Sequence, residues 1–214
     1  MLKAILFDLF RTLTTGGCDP RKDIVSKFKL SIDHTTLEKV HCGTKFTDWD
    51  SYLKGILDFI KIPNTEENKT KLRTVYEKDS KKYLVLDGVK EVLEEIKRMN
   101  LGLGLISNFP NDYYRILERA NLGDLFDTRI YSHEVGFVKP SKEIFQLALD
   151  GLNVKPQEAL MIGDSLDHDI EGAERVGIQT LLADYNGKHP NYIGPRVTSV
   201  QEIPVYIKTL FLNI

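Results

Sequence analysis

The sequence predicts an α/β fold built on a parallel sheet, with a helical insertion after the first strand. Three observations carry that prediction. Short, continuously apolar runs recur and end in polar residues; helix-period segments alternate with them from Val85 onward; and a long stretch near the N-terminus breaks the rhythm. Short runs without polar alternation suit strands buried on both faces, as parallel sheets require. Strand–helix alternation then implies right-handed crossovers. With 214 residues, 42% hydrophobic and 28% charged, the chain suits one domain of ordinary size, or one carrying a substantial insertion. Such a composition excludes a mainly disordered chain.

Taken in order, Ala4 to Phe7 before Asp8 reads as the first strand. Residues from about Thr15 to Tyr83 hold helical signals and no convincing strand. There Trp49, Leu53, Ile56 and Ile60 form an i, i+4, i+7, i+11 stripe, with Thr47 or Asp48 as N-cap. Pro63-Asn64-Thr65 punctuates before a polar helix through about Lys82. Val89, Leu93 and Ile96 share a helix face before the strand Leu103 to Ile106, which ends at Ser107. Thr128 to Tyr131 is a weaker strand. Ile144, Leu147 and Ala148 mark another helix before the strand Ala159 to Ile162, which ends at Gly163-Asp164. Ile170 and Ala173 share a face before Gly177, read as a C-cap, and Thr180 to Ala183 is a further strand. The expected division is a core of residues 1–14 and 84–214 and a helical insertion of residues 15–83.

Charge is nearly balanced, with 29 Lys plus Arg against 31 Asp plus Glu. No dense basic stripe is visible, so a nucleic-acid partner is not expected. The insertion carries 14 basic and 11 acidic residues, a mild positive bias that suits an anionic substrate without deciding it. No run approaches the about 18 apolar residues of a membrane span, and the apolar N-terminus meets Asp8 too soon for a signal peptide. The cysteines, Cys18 and Cys42, lie outside any Cys-x-x-Cys pattern. A reducing cytoplasm is the expected setting, with a Cys18–Cys42 bridge as the alternative.

In open α/β sheets the carboxyl ends of the strands form the functional edge. Here that edge collects Asp8, Ser107-Asn108 and Asp164, with Asp167 and Asp169 close behind; Lys139 precedes the helix leading to the Asp164 strand. Each alone has an ordinary reading as a turn former, loop residue or helix entry. Together they describe a site. Two carboxylates on neighbouring strand ends make a hard-oxygen pocket suited to Mg²⁺. A hydroxyl and a lysine beside it would hold a phosphoryl group, and a carboxylate there can itself attack.

These residues carry a resemblance. Phe7-Asp8-Leu9-Phe10-Arg11-Thr12-Leu13 resembles the first motif of the haloacid dehalogenase-like hydrolase superfamily, Ser107-Asn108 its second and Lys139-Pro140 its third. Gly163-Asp164-Ser165-Leu166-Asp167-His168-Asp169-Ile170-Glu171-Gly172-Ala173 closely resembles its fourth. The order fits, and the gaps of 99, 32 and 25 residues leave room for a cap and two compact units. The resemblance implies a Rossmann-like, three-layer core with residues 15–83 as an α-helical cap. It implies Asp8 as nucleophile and Lys139 as charge-neutralising partner. Ser107, with Asn108 beside it, would bind phosphoryl oxygens. Mg²⁺ would be held by Asp8, the Phe10 backbone carbonyl and Asp164, with Asp169 in support. The implied substrate is a small phosphorylated molecule. Arg11, directly after the first motif, is a further candidate for substrate contact.

The pattern breaks at Phe10, where family phosphatases typically carry a second Asp, and at Arg11, where Gly is common. That second Asp protonates the leaving oxygen, a role worth roughly 10²- to 10⁴-fold. An aromatic at this position also resembles the 2-haloacid dehalogenases, whose halide needs no proton. Dehalogenases resemble Ser-Ser-Asn where this chain has Ile162-Gly163-Asp164, and an unneutralised Asp164 beside Asp8 would repel a haloacid. The weight of the pattern falls on a phosphatase, with a dehalogenase as alternative. A Mg²⁺- or ligand-binding protein of low turnover is the reading from another class. Trp49 and Tyr52 read as core packing, Arg21 and Lys22 as a solvated helix start, and His168 as an exposed histidine, since Mg²⁺ prefers oxygen.

Overall fold

The computed structural model of the chain describes residues 1–16, 19–46, 48–108 and 115–212. Its centre is a six-stranded, wholly parallel sheet in the order β3-β2-β1-β4-β5-β6. The strands are β1 (Ala4–Phe7), β2 (Gly102–Ser107), β3 (Thr128–Tyr131), β4 (Ala159–Gly163), β5 (Gln179–Ala183) and β6 (Arg196–Val197). β6 is a two-residue edge strand, too short for a sequence periodicity to register.

Alternation along the strands sends side chains to two faces. Ile5, Phe7, Leu103, Leu105, Leu160 and Ile162 enter one core, while Leu6, Ile106 and Met161 enter the other. Helix α5 (Val89–Arg98) supplies Val89, Val92, Leu93 and Ile96 to the first. Helix α6 (Lys142–Leu152) covers the second with Ile144, Phe145, Ala148 and Leu149. Continuous burial of β1 and β4 explains why their sequences carry no polar alternation.

Between β1 and α5 the described chain forms helices α1 (Pro20–Lys27), α2 (Glu38–Gly43), α3 (Trp49–Phe59) and α4 (Glu66–Ser80). Asp48 caps α3 through a reciprocal capping box with Ser51, whereas Thr47 lies outside the described residues. Helix α3 buries Leu53 and Ile56 of the stripe, and Tyr52 and Leu57 beside them, against Leu72, Val75 and Tyr76 of α4. Trp49 stacks on Tyr52 at 5.2 Å, a packing contact. The segments entering and leaving this block are tied side by side: Thr15 N–H donates to the Leu84 carbonyl and Leu86 N–H to that of Leu13.

Parallel register decides which strand ends meet. Phe7 pairs with Leu105 on one side and Ile162 on the other. Asp8 therefore emerges one residue beyond both, level with Gly163, at the point where strand order reverses. That crevice is where open α/β sheets bind ligands.

Candidate active site

Asp8 is 6% exposed, and its N–H donates to the Ile162 carbonyl at 2.9 Å. Its carboxylate accepts from Lys139 Nζ at 2.6 Å and from the Thr12 hydroxyl at 3.2 Å. The same ammonium donates to Asp169 Oδ1 at 2.7 Å and to the Ile106 carbonyl at 3.0 Å. Asn108 fixes the lysine from behind. Its amide donates to the Lys139 carbonyl at 3.0 Å and accepts from the Lys139 N–H at 2.7 Å. Both ends of the Asn108 amide thus hold Lys139, so it acts first on that backbone.

Asp169 reaches this cluster because residues Leu166–Ile170 form a wide π-turn capped by Ser165. The turn folds the Asp169 carboxylate back over Gly163, where Oδ2 accepts from Ser165 N–H at 3.0 Å. A Cβ at Gly163 would lie 2.3 Å from that carboxylate, so no other residue fits there. At Gly172 a Cβ would meet Pro140 at 2.9 Å and Phe145 at 3.0 Å, which explains why the helix after the turn packs so closely on Lys139-Pro140. Both glycines of the fourth sequence pattern are thereby accounted for by contact distances.

Oxygen atoms of Asp8, Asp164 and Asp169 lie within 4.8 Å of one another. Both oxygens of Asp169 are engaged by Lys139 and Ser165, which fits a supporting place better than a ligating one. One ammonium for two buried carboxylates leaves negative charge uncompensated. Burial accordingly pushes the Asp8 carboxyl up to about 7, with Lys139 opposing and Asp169 and Asp164 adding repulsion. Burial pulls the Lys139 ammonium down, but its bonds to Asp169 and Asp8 outweigh this and hold it above the usual lysine range. Burial also raises the Asp164 carboxyl, opposed by Arg11.

Arg11 sits at φ 62°, the left-handed region that glycine occupies freely. Its Nε lies 2.9 Å from Asp164 Oδ2, so it is bound to a candidate metal ligand. Lys188 stands 3.7 Å from the same oxygen. Ser107 is fully buried, and its hydroxyl has no hydrogen-bond partner among the described residues. Phe10 tilts against Tyr83 with ring centroids 4.8 Å apart, and both line the cavity.

The cavity above Asp8, Lys139, Asp164 and Asp169 holds about 250 Å³, and Ser107 is not part of its lining. Its far wall comes from the helical block: Asp19, Arg21 and Glu38 with His41. Arg21 is half-buried rather than solvated, donating to both oxygens of Asp19 at 2.8 and 3.0 Å and lying 3.1 Å from Glu38. The expected solvated face at this helix start holds for the exposed Lys22 and is corrected for Arg21: Asp19 caps the helix and pairs with the Arg21 guanidinium. Asp19, Glu38, His41 and Thr12 escaped the sequence reading, although Asp19-Pro20 carries a helix-start signal. His168 lines the cavity with its side chain partly exposed and 3.9 Å from Glu38.

Among the described cavity residues five carboxylates face three cations, an excess of two negative charges. A divalent cation fits that balance and the hard-oxygen donor set. Among the described residues no helix is long and apolar enough to cross a membrane. Cys42 carries a free, buried thiol, and Cys18 lies outside the described residues.

Comparison with known proteins agrees with this geometry. Glyceraldehyde 3-phosphate phosphatase of Pyrococcus abyssi is 32% identical over 199 residues, covering 86% of this chain and 82% of that protein. Two other curated relatives are matched over only 40% and 42% of their own length. In fold, the chain resembles a HAD phosphatase of Thermococcus onnurineus (TM-score 0.68, 24% identity, 96% and 98% coverage). It resembles a 2-haloacid dehalogenase of Pseudomonas syringae equally well (TM-score 0.70, 20% identity, 98% and 100% coverage). The sequence profile of the haloacid dehalogenase-like hydrolases matches residues 2–177, and with the strand-end carboxylates assembled around Lys139 the chain belongs to that family of hydrolases.

Proposed function

We propose that this hydrolase is a Mg²⁺-dependent phosphatase for small phosphate monoesters, acting through an aspartyl-phosphate on Asp8. The observation that carries the reading is Asp164 beside Asp8, within 4.8 Å of it and of Asp169. Such a cluster holds a cation or repels its substrate. Asp8, Asp164 and the Phe10 carbonyl would hold Mg²⁺, with Asp169 supporting. The bound ion would supply charge stabilisation for the phosphoryl oxygens. Relatives whose names state phosphate-ester hydrolysis support the same class.

In this reading the Asp8 carboxylate attacks phosphorus and the bond to the leaving oxygen breaks. Water then attacks the phosphorus of the acyl phosphate, releasing inorganic phosphate and regenerating Asp8. Lys139 opposes the burial that raises the Asp8 carboxyl, favouring and aiming its ionised, attacking form, and Asn108 keeps Lys139 in place. In this reading the Ser107 hydroxyl, unpartnered among the described residues and fully buried outside the cavity lining, would donate to a phosphoryl oxygen, since an unmade buried hydrogen bond costs about 1–3 kcal/mol. Residues 15–83 act as a cap over the core of residues 1–14 and 84–214, excluding water from the cavity they share. A cytoplasmic setting belongs to this reading and is supported by the free Cys42 thiol.

The test is p-nitrophenyl phosphate hydrolysis with Mg²⁺ and with EDTA, for wild type and Asp8→Asn. Metal-dependent turnover lost in Asp8→Asn supports the proposal. One observation favours a second reading: Phe10 places an aromatic ring where an acid would stand. Chloride release from a 2-haloacid without metal, and no phosphatase activity, would establish the dehalogenase. Silence in both assays would favour a ligand-binding role.

A further inference from the structure

Resting on the phosphatase reading, we infer that the leaving group of the natural substrate is uncharged and hydroxyl-bearing, and carries no second phosphate or carboxylate. The argument comes from the cavity wall opposite Asp8. A phosphoryl group at Asp8 and Lys139 occupies the sheet end of the cavity, which leaves the remainder of the substrate to the lining from the helical block, Asp19, Arg21, Glu38 and His41.

A second anion there would need a cation with charge to spare. Arg21 is the one cation on this wall among the described residues, and it is already neutralised twice. Asp19 takes Nε and one terminal nitrogen at 2.8 and 3.0 Å, and Glu38 takes the other at 3.1 Å. Two carboxylates for one guanidinium leave this wall with a net negative charge. Asp19 is also fixed from its own helix, accepting from the Arg21 backbone N–H at 3.0 Å, so its carboxylate is held in place facing the guanidinium. The other cations of the cavity are committed at the phosphoryl end, Arg11 to Asp164 and Lys139 to Asp8 and Asp169.

His41 adds hydrogen bonding without charge. Its Nδ1 lies 2.9 Å from the Tyr76 hydroxyl and 3.1 Å from that of Tyr52. Burial, with Arg21 adding repulsion, pushes its pKa down to about 3, so the ring is neutral at physiological pH. The wall therefore presents carboxylate oxygens and a neutral imidazole, groups that pair with hydroxyls and reject anions.

The experiment compares kcat/KM for glycerol phosphate and 3-phosphoglycerate, alkyl esters of equal carbon count that differ by a carboxylate. p-Nitrophenyl phosphate and acetyl phosphate serve as controls for phosphatase chemistry. Wild type should favour glycerol phosphate by at least about tenfold, the effect of one like charge at close range in a partly screened site. In Asp19→Asn, which retains a capping side chain, and in Glu38→Gln, that ratio should fall by about tenfold as Arg21 gains free charge. Unchanged circular dichroism would show that both variants fold. Equal or reversed preference in wild type, with the controls active, would overturn the inference and leave the phosphatase reading standing. So would an unchanged ratio in both folded variants. Inactivity on both controls would remove the phosphatase reading and this inference with it.

Discussion

Replacing Lys139 by methionine removes an ammonium shared by two buried carboxylates, and the consequence can be worked from the geometry. Lys139, Asp8 and Asp169 are 3%, 6% and 1% exposed, and the two ion pairs measure 2.6 and 2.7 Å. Methionine keeps an unbranched stem, so little packing volume is lost. What disappears is the charge and its bonds to Asp8, Asp169 and the Ile106 carbonyl. Breaking a buried pair by removing one partner costs about 3–5 kcal/mol, because the remaining charge is left uncompensated. Set against a total stability of about 5–15 kcal/mol, this is a large fraction. At about 2–4 °C per kcal/mol for a chain of this size, Tm should fall by roughly 6–20 °C. The loss should also shrink on acidification. Without the ammonium, Asp8 resists ionisation more strongly, and its folded pKa rises further above the unfolded value near 3.8. Groups raised in this way contribute stability that is present at low pH and lost as pH rises through the folded pKa. The variant should therefore recover part of its deficit between pH 7 and pH 5. Thermal melts of both proteins in EDTA at those two pH values provide the measurement. A drop below about 2 °C, or a deficit that does not change with pH, would refute the reasoning.

Phe10→Asp should raise turnover of alkyl phosphates by up to roughly 10²-fold by restoring an acid, and change aryl phosphate turnover far less; equal wild-type rates on alkyl and aryl esters would contradict the role assigned to this position. Arg11→Gly relieves a left-handed residue worth about 1–2 kcal/mol and gives up a half-exposed ion pair worth up to about 1 kcal/mol. Its unfolding free energy should stay within about 1 kcal/mol of wild type while Mg²⁺ raises its Tm more, and a loss above about 2 kcal/mol would show that Arg11 is structural. His41 stays neutral in the fold down to a pKa of about 3, whereas the unfolded chain protonates it near 6.5. Stability should therefore decline by about 1.4 kcal/mol for each pH unit that pH falls between these values, in excess of the slope for His41→Gln. Matching urea-derived slopes for the two proteins would count against it.

Much of the sheet was legible because β1, β2, β4 and β5 are buried on both faces, which forces runs that are apolar without interruption. β6, two residues long, carries no such signal. The carboxylates at the strand ends were legible for a related reason. Asp8 and Asp164 follow buried strands directly, so their place at the sheet edge follows from the sequence once the strands are assigned. Asp19, Glu38 and His41 had no comparable marker, since their meeting depends on how α1 and α2 turn toward the sheet.

By itself, the sequence determined the α/β class, the helical insertion and the carboxylate-bearing strand ends, because periodicity and burial are local properties of a chain. Tertiary structure alone decided how those groups are used. It committed Asn108 to the Lys139 backbone, tied Arg11 to Asp164 and turned Arg21 inward onto Asp19 and Glu38. These are pairings between residues brought together by packing, and whether a charge is free or spent depends on a partner that no local pattern names.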